Sequence, residues 1–315
     1  MKPYQILVVS EDAAQYRQLL TTLSQPVTLN CVESSQQALP YCGQSEILFG
    51  EPNLMLPLLD KMPKLRWIQS SWAGVTPLIE ALRHPPRELV LTNIRGIFGP
   101  LMAEYVFAYL LGHERQLEAH RQAQQQRQWR SQRGGSLQGK TFGLLGLGSI
   151  GAHLAATARH FGMRVVGCSR SLPDEGLIDQ HYLPERLALM VAEVDYLVCT
   201  LPSTEQSRNL IDAELLQQFN PRALLINAGR GDLIDDAALV DALTSGQLAG
   251  AVLDVFRQEP LATDHPFWST PNLIITSHTA APSYPEDIAR VFSENLQRFA
   301  ATEPLQYRVD IERGY

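Results

Sequence analysis

An α/β fold in two domains, each built on a parallel sheet, is what three features of the sequence predict. Short apolar runs alternate with helical segments along almost the whole chain, which is the signature of parallel strands joined by crossover helices. These runs are continuously apolar rather than alternating, as strands covered on both faces are. The length of 315 residues, at about 150 residues per domain, is enough for two such units.

The first series starts at the N-terminus. Ile6-Leu7-Val8-Val9, Val27-Thr28-Leu29, Ile47-Leu48-Phe49, Leu65-Arg66-Trp67-Ile68 and Leu89-Val90-Leu91 read as strands, with helices over 14–23 and 52–61 between them. One long helix over 101–129 is predicted next. Pro100 suits its first turn, where a missing N–H costs nothing, and its Gln-rich end reads as an exposed tail of good helix formers.

A second series follows Gly134-Gly135. Six strands are predicted, at 141–145, 164–168, 196–200, 223–227, 249–253 and 273–276, separated by helices over 150–161, 184–191, 212–217 and 235–245. A last amphipathic helix over 285–301 carries Ile288, Val291, Phe292, Leu296 and Phe299 on one face. It is a candidate to return to the first domain, with Gly96 and Ala281-Pro282-Ser283 as the two crossings.

Composition excludes several function classes. Hydrophobic residues make up 45% and charged ones 19%, so the chain folds rather than staying disordered. The net charge of −7 makes a nucleic-acid partner unexpected, and Arg127, Arg130 and Arg133 read as a solvated surface. Four widely spaced cysteines offer neither a disulfide framework nor a metal site. The N-terminal apolar run is too short for a signal peptide, and the stretch over 103–111 falls far below the roughly 20 residues of a membrane span. A cytoplasmic protein with no membrane and no metal is the expectation.

The chemistry begins at Gly146-Leu147-Gly148-Ser149-Ile150-Gly151, a G-x-G-x-x-G between a predicted strand and a predicted helix. Gly146 suits the tight turn, Gly148 the approach of a pyrophosphate and Gly151 the packing of helix on strand. Free N–H groups at the helix start, including those near Ser149 and Ile150, favour an anion. A dinucleotide is the expected ligand. An NAD site would place a carboxylate about 20 residues further on. Here the run is Cys168-Ser169-Arg170-Ser171, and an Arg between two hydroxyls suits a 2′-phosphate. NADP(H) is therefore preferred and NAD(H) remains the alternative, with Asp174 and Glu175 nearby counting towards it.

Three more motifs end successive predicted strands, where open α/β sheets bind ligands. They are Asn227-Ala228-Gly229-Arg230-Gly231, then Asp254 through Glu259-Pro260, then Thr276-Ser277-His278-Thr279. With these residues in order, the chain resembles the D-isomer-specific 2-hydroxyacid dehydrogenase family over nearly its whole length. Cys168-Ser169-Arg170-Ser171 and His265-Pro266-Phe267-Trp268 are most similar to its glyoxylate/hydroxypyruvate reductase branch.

The resemblance implies an active site of Arg230, Glu259 and His278. His278 would protonate the substrate oxygen, Glu259 would orient the ring, and Arg230 would hold a carboxylate and polarise the carbonyl. It further implies cofactor contacts at Leu201, Pro202, Ala228 and Asp254, and a substrate-carboxylate loop at Trp72, Ala73, Gly74 and Val75. Thr76 stands where the family often has Asp or Asn, and Trp72 either packs in the core or narrows the pocket. Glu104 is expected to be structural.

The implied fold is two interleaved Rossmann-like/flavodoxin-like domains with parallel sheets. Residues 1–97 and 284–315 would form the substrate-binding domain and 98–283 the dinucleotide-binding domain, with the cleft between them. The implied activity is NADPH-dependent reduction of a small 2-oxo acid to a D-2-hydroxy acid by a homodimer. A dehydrogenase for another acid is one alternative. Another is a dinucleotide-sensing binding protein of the C-terminal-binding corepressor type, which keeps the same Arg, Glu and His.

Overall fold

Each apolar run predicted to be a strand forms one, with shifted ends, in the computed structural model, which describes residues 2–83, 89–131 and 133–312. The chain divides into two units, Met1–Ile97 with Ser283–Tyr315 and Phe98–Pro282.

The first unit is built on β1 (Tyr4–Val9), β2 (Val27–Val32), β3 (Ile47–Gly50), β4 (Trp67–Ser70) and β5 (Val90–Thr92). They pair in parallel in the order β2-β1-β3-β4-β5. Every residue of β3 and β4 is buried, so both faces of the sheet need cover. Side chains alternate between the faces. Leu7, Val9, Leu48 and Ile68 pack with Met55, Leu58, Leu78 and Ile79 on one side. On the other, Phe292 of the helix Pro285–Ala300 stacks on Phe49 and Trp67, with ring centroids 4.6 and 5.2 Å apart.

The same helix also carries a fully buried amide. Asn295 donates to Gln69 Oε1 at 3.2 Å and to the Gln306 carbonyl at 3.1 Å, and accepts from the Gln306 N–H at 2.8 Å. Gln69 Oε1 in turn accepts from Thr92, whose hydroxyl accepts from the Trp67 indole. Burying these groups is tolerable because each finds a partner.

The second unit holds β6 (Thr141–Leu145), β7 (Arg164–Cys168), β8 (Gln180–Tyr182), β9 (Tyr196–Cys199), β10 (Leu224–Asn227), β11 (Gly250–Leu253) and β12 (Leu273–Ile275). All pairs are parallel, in the order β12-β11-β10-β9-β6-β7-β8. The order reverses between β6 and β9. That switch point is where open α/β sheets form a crevice outside their carboxyl ends.

Three expectations change. The sheet has a seventh strand, β8, held by polar bonds: Arg164 and Tyr182 both bind the Gln180 side chain. A strand without an apolar run gives no periodic signal. The single helix over 101–129 is two, Gly99–Glu114 and Leu117–Gln125, with Gln116 left-handed between them. Ala103, Val106, Phe107 and Leu110 pack on Phe142 and Leu154, whereas Leu117, next in that stripe beyond the break, is exposed. A further helix, Thr76–Leu82, follows the first unit's Ser71–Val75 loop.

Candidate active site

The glycine loop lies at the switch point, between β6 and the helix Ser149–His160. Gly146 has φ +111°, a conformation that L side chains rarely adopt. A Cβ on Gly151 would stand 2.3 Å from the Gly146 carbonyl oxygen, so the helix can pack this closely only on glycine. A Cβ on Gly148 would meet nothing within 4 Å, which leaves its exposed backbone open to a ligand. Gly148 and Ser149 are exposed at the start of a twelve-residue helix, whose first N–H groups have no partners within the helix. These features fit a pyrophosphate.

At the end of β7, Ser169 donates its hydroxyl to the Ser171 carbonyl at 2.7 Å, and Arg170 reaches Gln206 in the loop after β9 at 3.1 Å. Arg170 and Ser171 are exposed. His181 of β8, which the sequence did not single out, places its Nε2 3.0 Å from Ser169 Oγ and 3.1 Å from the Ser169 carbonyl.

The loops after β10, β11 and β12 carry Arg230, Glu259 and His278. The Asn227 side chain shapes the first loop, donating to the Arg230 carbonyl at 2.9 Å and accepting from the Gly229 N–H at 3.1 Å. A Cβ on Gly231 would lie 1.9 Å from the Phe256 carbonyl carbon, so the loops after β10 and β11 meet backbone to backbone. Burial pulls the Arg230 guanidinium below its ordinary range, and the nearby Glu259 and Asp232 carboxylates oppose this. Starting from so basic a group, it stays a cation at neutral pH.

Glu259 is held at both oxygens. Oε1 accepts from the Phe256 N–H at 2.9 Å and Oε2 pairs with His278 Nδ1 at 2.8 Å. His278 sits at φ +56° in a loop hung on a single residue. The His278 N–H donates to the Asp254 carbonyl at 2.8 Å, and the Thr279 and Ala280 N–H groups donate to its buried carboxylate at 2.8 and 3.0 Å. Thr276 adds a hydroxyl bond to Asp254 at 2.6 Å and accepts from Tyr105 at 2.8 Å. Asp254 thus shapes the histidine loop, a role that its spacing alone did not show.

Leu201 and Pro202 belong to the loop after β9, which is tied to the Arg230 loop by Ser203 donating to Asp232 Oδ2 at 2.6 Å. Asp232 Oδ1 is buried with no hydrogen-bond partner among the described residues. Ala228 is buried at the start of the Arg230 loop.

In the first unit, Ser70 and Asn93 shape the Ser71–Val75 loop. Ser70 accepts from the Trp72 N–H at 2.9 Å, and Asn93 donates to the Ala73 carbonyl at 2.7 Å. The N–H groups of Ala73, Gly74 and Val75 have no acceptor among the described residues. Trp72 is 40% exposed within the structure, so it is not a core side chain. Glu104 is exposed as well. Among the described residues no group of three His, Cys, Asp or Glu side chains is placed to hold a metal ion, and no helix is long and apolar enough to cross a membrane.

The family model for the NAD binding domain of D-isomer specific 2-hydroxyacid dehydrogenases matches residues 107–280, more than half of the chain. The protein belongs to this family. It is an NAD(P)-dependent oxidoreductase with the α/β architecture of that family. A glyoxylate/hydroxypyruvate reductase A from Yersinia enterocolitica is 32% identical over 263 residues, covering 82% of this chain and 84% of that one. The crystal structure of a D-isomer specific 2-hydroxyacid dehydrogenase family protein from Aeromonas salmonicida superposes with a TM-score of 0.92 at 43% identity, covering 98% and 100% of the two chains. An NADPH-dependent glyoxylate/hydroxypyruvate reductase from Sinorhizobium meliloti, in complex with NADP and sulfate, gives a TM-score of 0.86 at 25% identity over 99% and 100%.

Proposed function

We propose that this dehydrogenase reduces small 2-oxo acids of the glyoxylate or hydroxypyruvate kind to D-2-hydroxy acids, using NADPH in preference to NADH. The observation that carries the reading is the His278–Glu259 pair, one strand end away from a half-buried Arg230, all at the carboxyl ends of the sheet that holds the glycine loop. The names of the Yersinia and Sinorhizobium relatives support the substrate and the cofactor.

Gly146, Gly148, Ser149, Ile150 and Gly151 would hold the pyrophosphate, and Ser169, Arg170 and Ser171 the 2′-phosphate. Leu201, Pro202 and Ala228 would line the bound dinucleotide, whose reduced nicotinamide supplies the hydride. Arg230 pairs with the substrate carboxylate and stabilises charge developing on the carbonyl oxygen. The Nδ1–H of His278 is spent on Glu259, so Nε2 is the end that delivers a proton to that oxygen. Asp254 holds the histidine loop and keeps acceptor capacity on Oδ2 for a carboxamide. The Ala73, Gly74 and Val75 N–H groups are donors suited to a carboxylate, with Trp72 limiting substrate size. A cytoplasmic homodimer completes the reading; four buried free thiols suit a reducing compartment, and twofold dimers are the commonest soluble assembly.

The test is to mix the protein with NADPH and a panel of 2-oxo acids and follow the absorbance of the reduced nicotinamide. Oxidation with glyoxylate or hydroxypyruvate is expected. His278→Ala should abolish most turnover, about a hundredfold or more, while NADPH still binds. No oxidation across the panel, or full turnover in His278→Ala, refutes the reading.

A further inference from the structure

The turn after β7 is gripped from both sides of the sheet. Arg170 reaches towards β9 through Gln206, and Ser169 is held from β8 through His181. His181 is cross-strand from Gly167 in the β7–β8 register, so its ring lies beside the strand that leads into the turn. The hydrogen positions follow from the network. A carbonyl oxygen only accepts, and His181 Nε2 is 3.1 Å from the Ser169 carbonyl, which places the hydrogen on Nε2. That N–H is shared with Ser169 Oγ at 3.0 Å, while the Ser169 hydroxyl hydrogen points to the Ser171 carbonyl at 2.7 Å. One half-buried imidazole therefore holds Ser169 by its backbone and its side chain together.

We propose that His181 is a specificity-determining residue for the 2′-phosphate of NADP(H). It is a positioning residue, acting through Ser169, and the proposal rests on the NADPH preference argued above. A short exposed turn binds a phosphate well only if it is held in the binding shape beforehand, since ordering it afterwards costs affinity. His181 is the donor that does this for the first residue of Ser169-Arg170-Ser171. A side chain that cannot donate leaves the Ser169 carbonyl without that partner and frees the turn to take other shapes. A ligand lacking the 2′-phosphate gives the turn no phosphate to hold and registers the change far less.

The experiment is calorimetric titration of the full-length protein with 2′,5′-ADP and, separately, with 5′-AMP. For His181→Leu the affinity for 2′,5′-ADP should fall about tenfold, the scale of one lost hydrogen bond, with 5′-AMP changed less than about twofold. His181→Gln, which keeps an N–H donor, should recover most of the loss. If His181→Leu is too unstable to titrate, His181→Asn, polar but too short to reach Ser169, must show the same selective loss. Equal weakening of both ligands, or unchanged 2′,5′-ADP affinity, overturns the proposal. The double variant Ser169→Asp with Arg170→Gln separates the two layers. If it leaves the preference for 2′,5′-ADP intact, the NADPH reading itself fails. If it removes the preference and the His181 variants do not, only the role of His181 fails.

Discussion

Replacing Glu259 with Gln isolates the electrostatic half of the His278–Glu259 pair. The wild-type carboxylate accepts the Phe256 N–H at 2.9 Å through one oxygen and faces His278 Nδ1 at 2.8 Å through the other. Glutamine keeps an acceptor for Phe256, so the loop survives. Opposite the ring, however, it presents a neutral amide N–H₂, and the imidazolium loses its anionic partner. A hydrogen bond to a charged group is worth about 1.5–3 kcal/mol. His278 is 54% exposed and Glu259 34%, so solvent screening takes roughly half of this and leaves about 0.75–1.5 kcal/mol. At about 1.4 kcal/mol per factor of ten, kcat should fall about three- to tenfold. Steady-state turnover of glyoxylate at saturating NADPH measures it, with thermal unfolding as the control for the loop. A kcat within twofold of wild type, or a loss confined to KM, would show that Glu259 does not stabilise the proton-donating form.

Three other outcomes follow from the geometry. Tyr105→Phe removes the hydroxyl that starts the Tyr105–Thr276–Asp254 chain and leaves the ring packed edge-on against Tyr109. About 1 kcal/mol of support for the histidine loop is lost, and kcat should drop severalfold with NADPH affinity unchanged; an unaltered kcat contradicts the chain's role. Asn295→Ala strips the part-buried Gln306 N–H of its acceptor and opens a small cavity where the fully buried amide stood. Urea denaturation should show a loss of about 2–4 kcal/mol, and a loss below about 1 kcal/mol would mean that the tail repacks. Burial raises all four thiols, Cys31 and Cys168 to about 11, with Arg17 opposing at Cys31 and Glu185 reinforcing at Cys168. Burial disfavours the thiolate, so reactivity grows only as pH climbs towards those values. At pH 8 a disulfide reagent should find no fast-reacting cysteine in the native protein and four after unfolding; a fast native thiol rules this out.

What could be read from the sequence divides along a physical line. β1, β3, β9 and β10 were legible because a strand covered on both faces must be apolar throughout, and that writes itself as an unbroken run. Arg230 and Glu259 entered through motifs that resemble the family, and each motif is local: Asn227 and Phe256, three residues away, shape the two loops. Tyr105 with Thr276 was not, since 171 residues separate them and only the folded sheet brings them together. The break at Gln116 was hidden because helix propensity continues through a Gln-rich segment after the packing that keeps a helix straight has ended. His181 combines both difficulties. Its strand is three residues long, polar and at the sheet edge, so neither its existence nor its register shows in the pattern. Once β8 is placed beside β7, Gly167 faces His181 and the ring falls on Ser169 without further assumption. The strand that periodicity missed therefore carries the side chain that holds the Ser169 turn. The NADPH preference proposed for Ser169-Arg170-Ser171 would then depend on a residue twelve positions away that no motif contains.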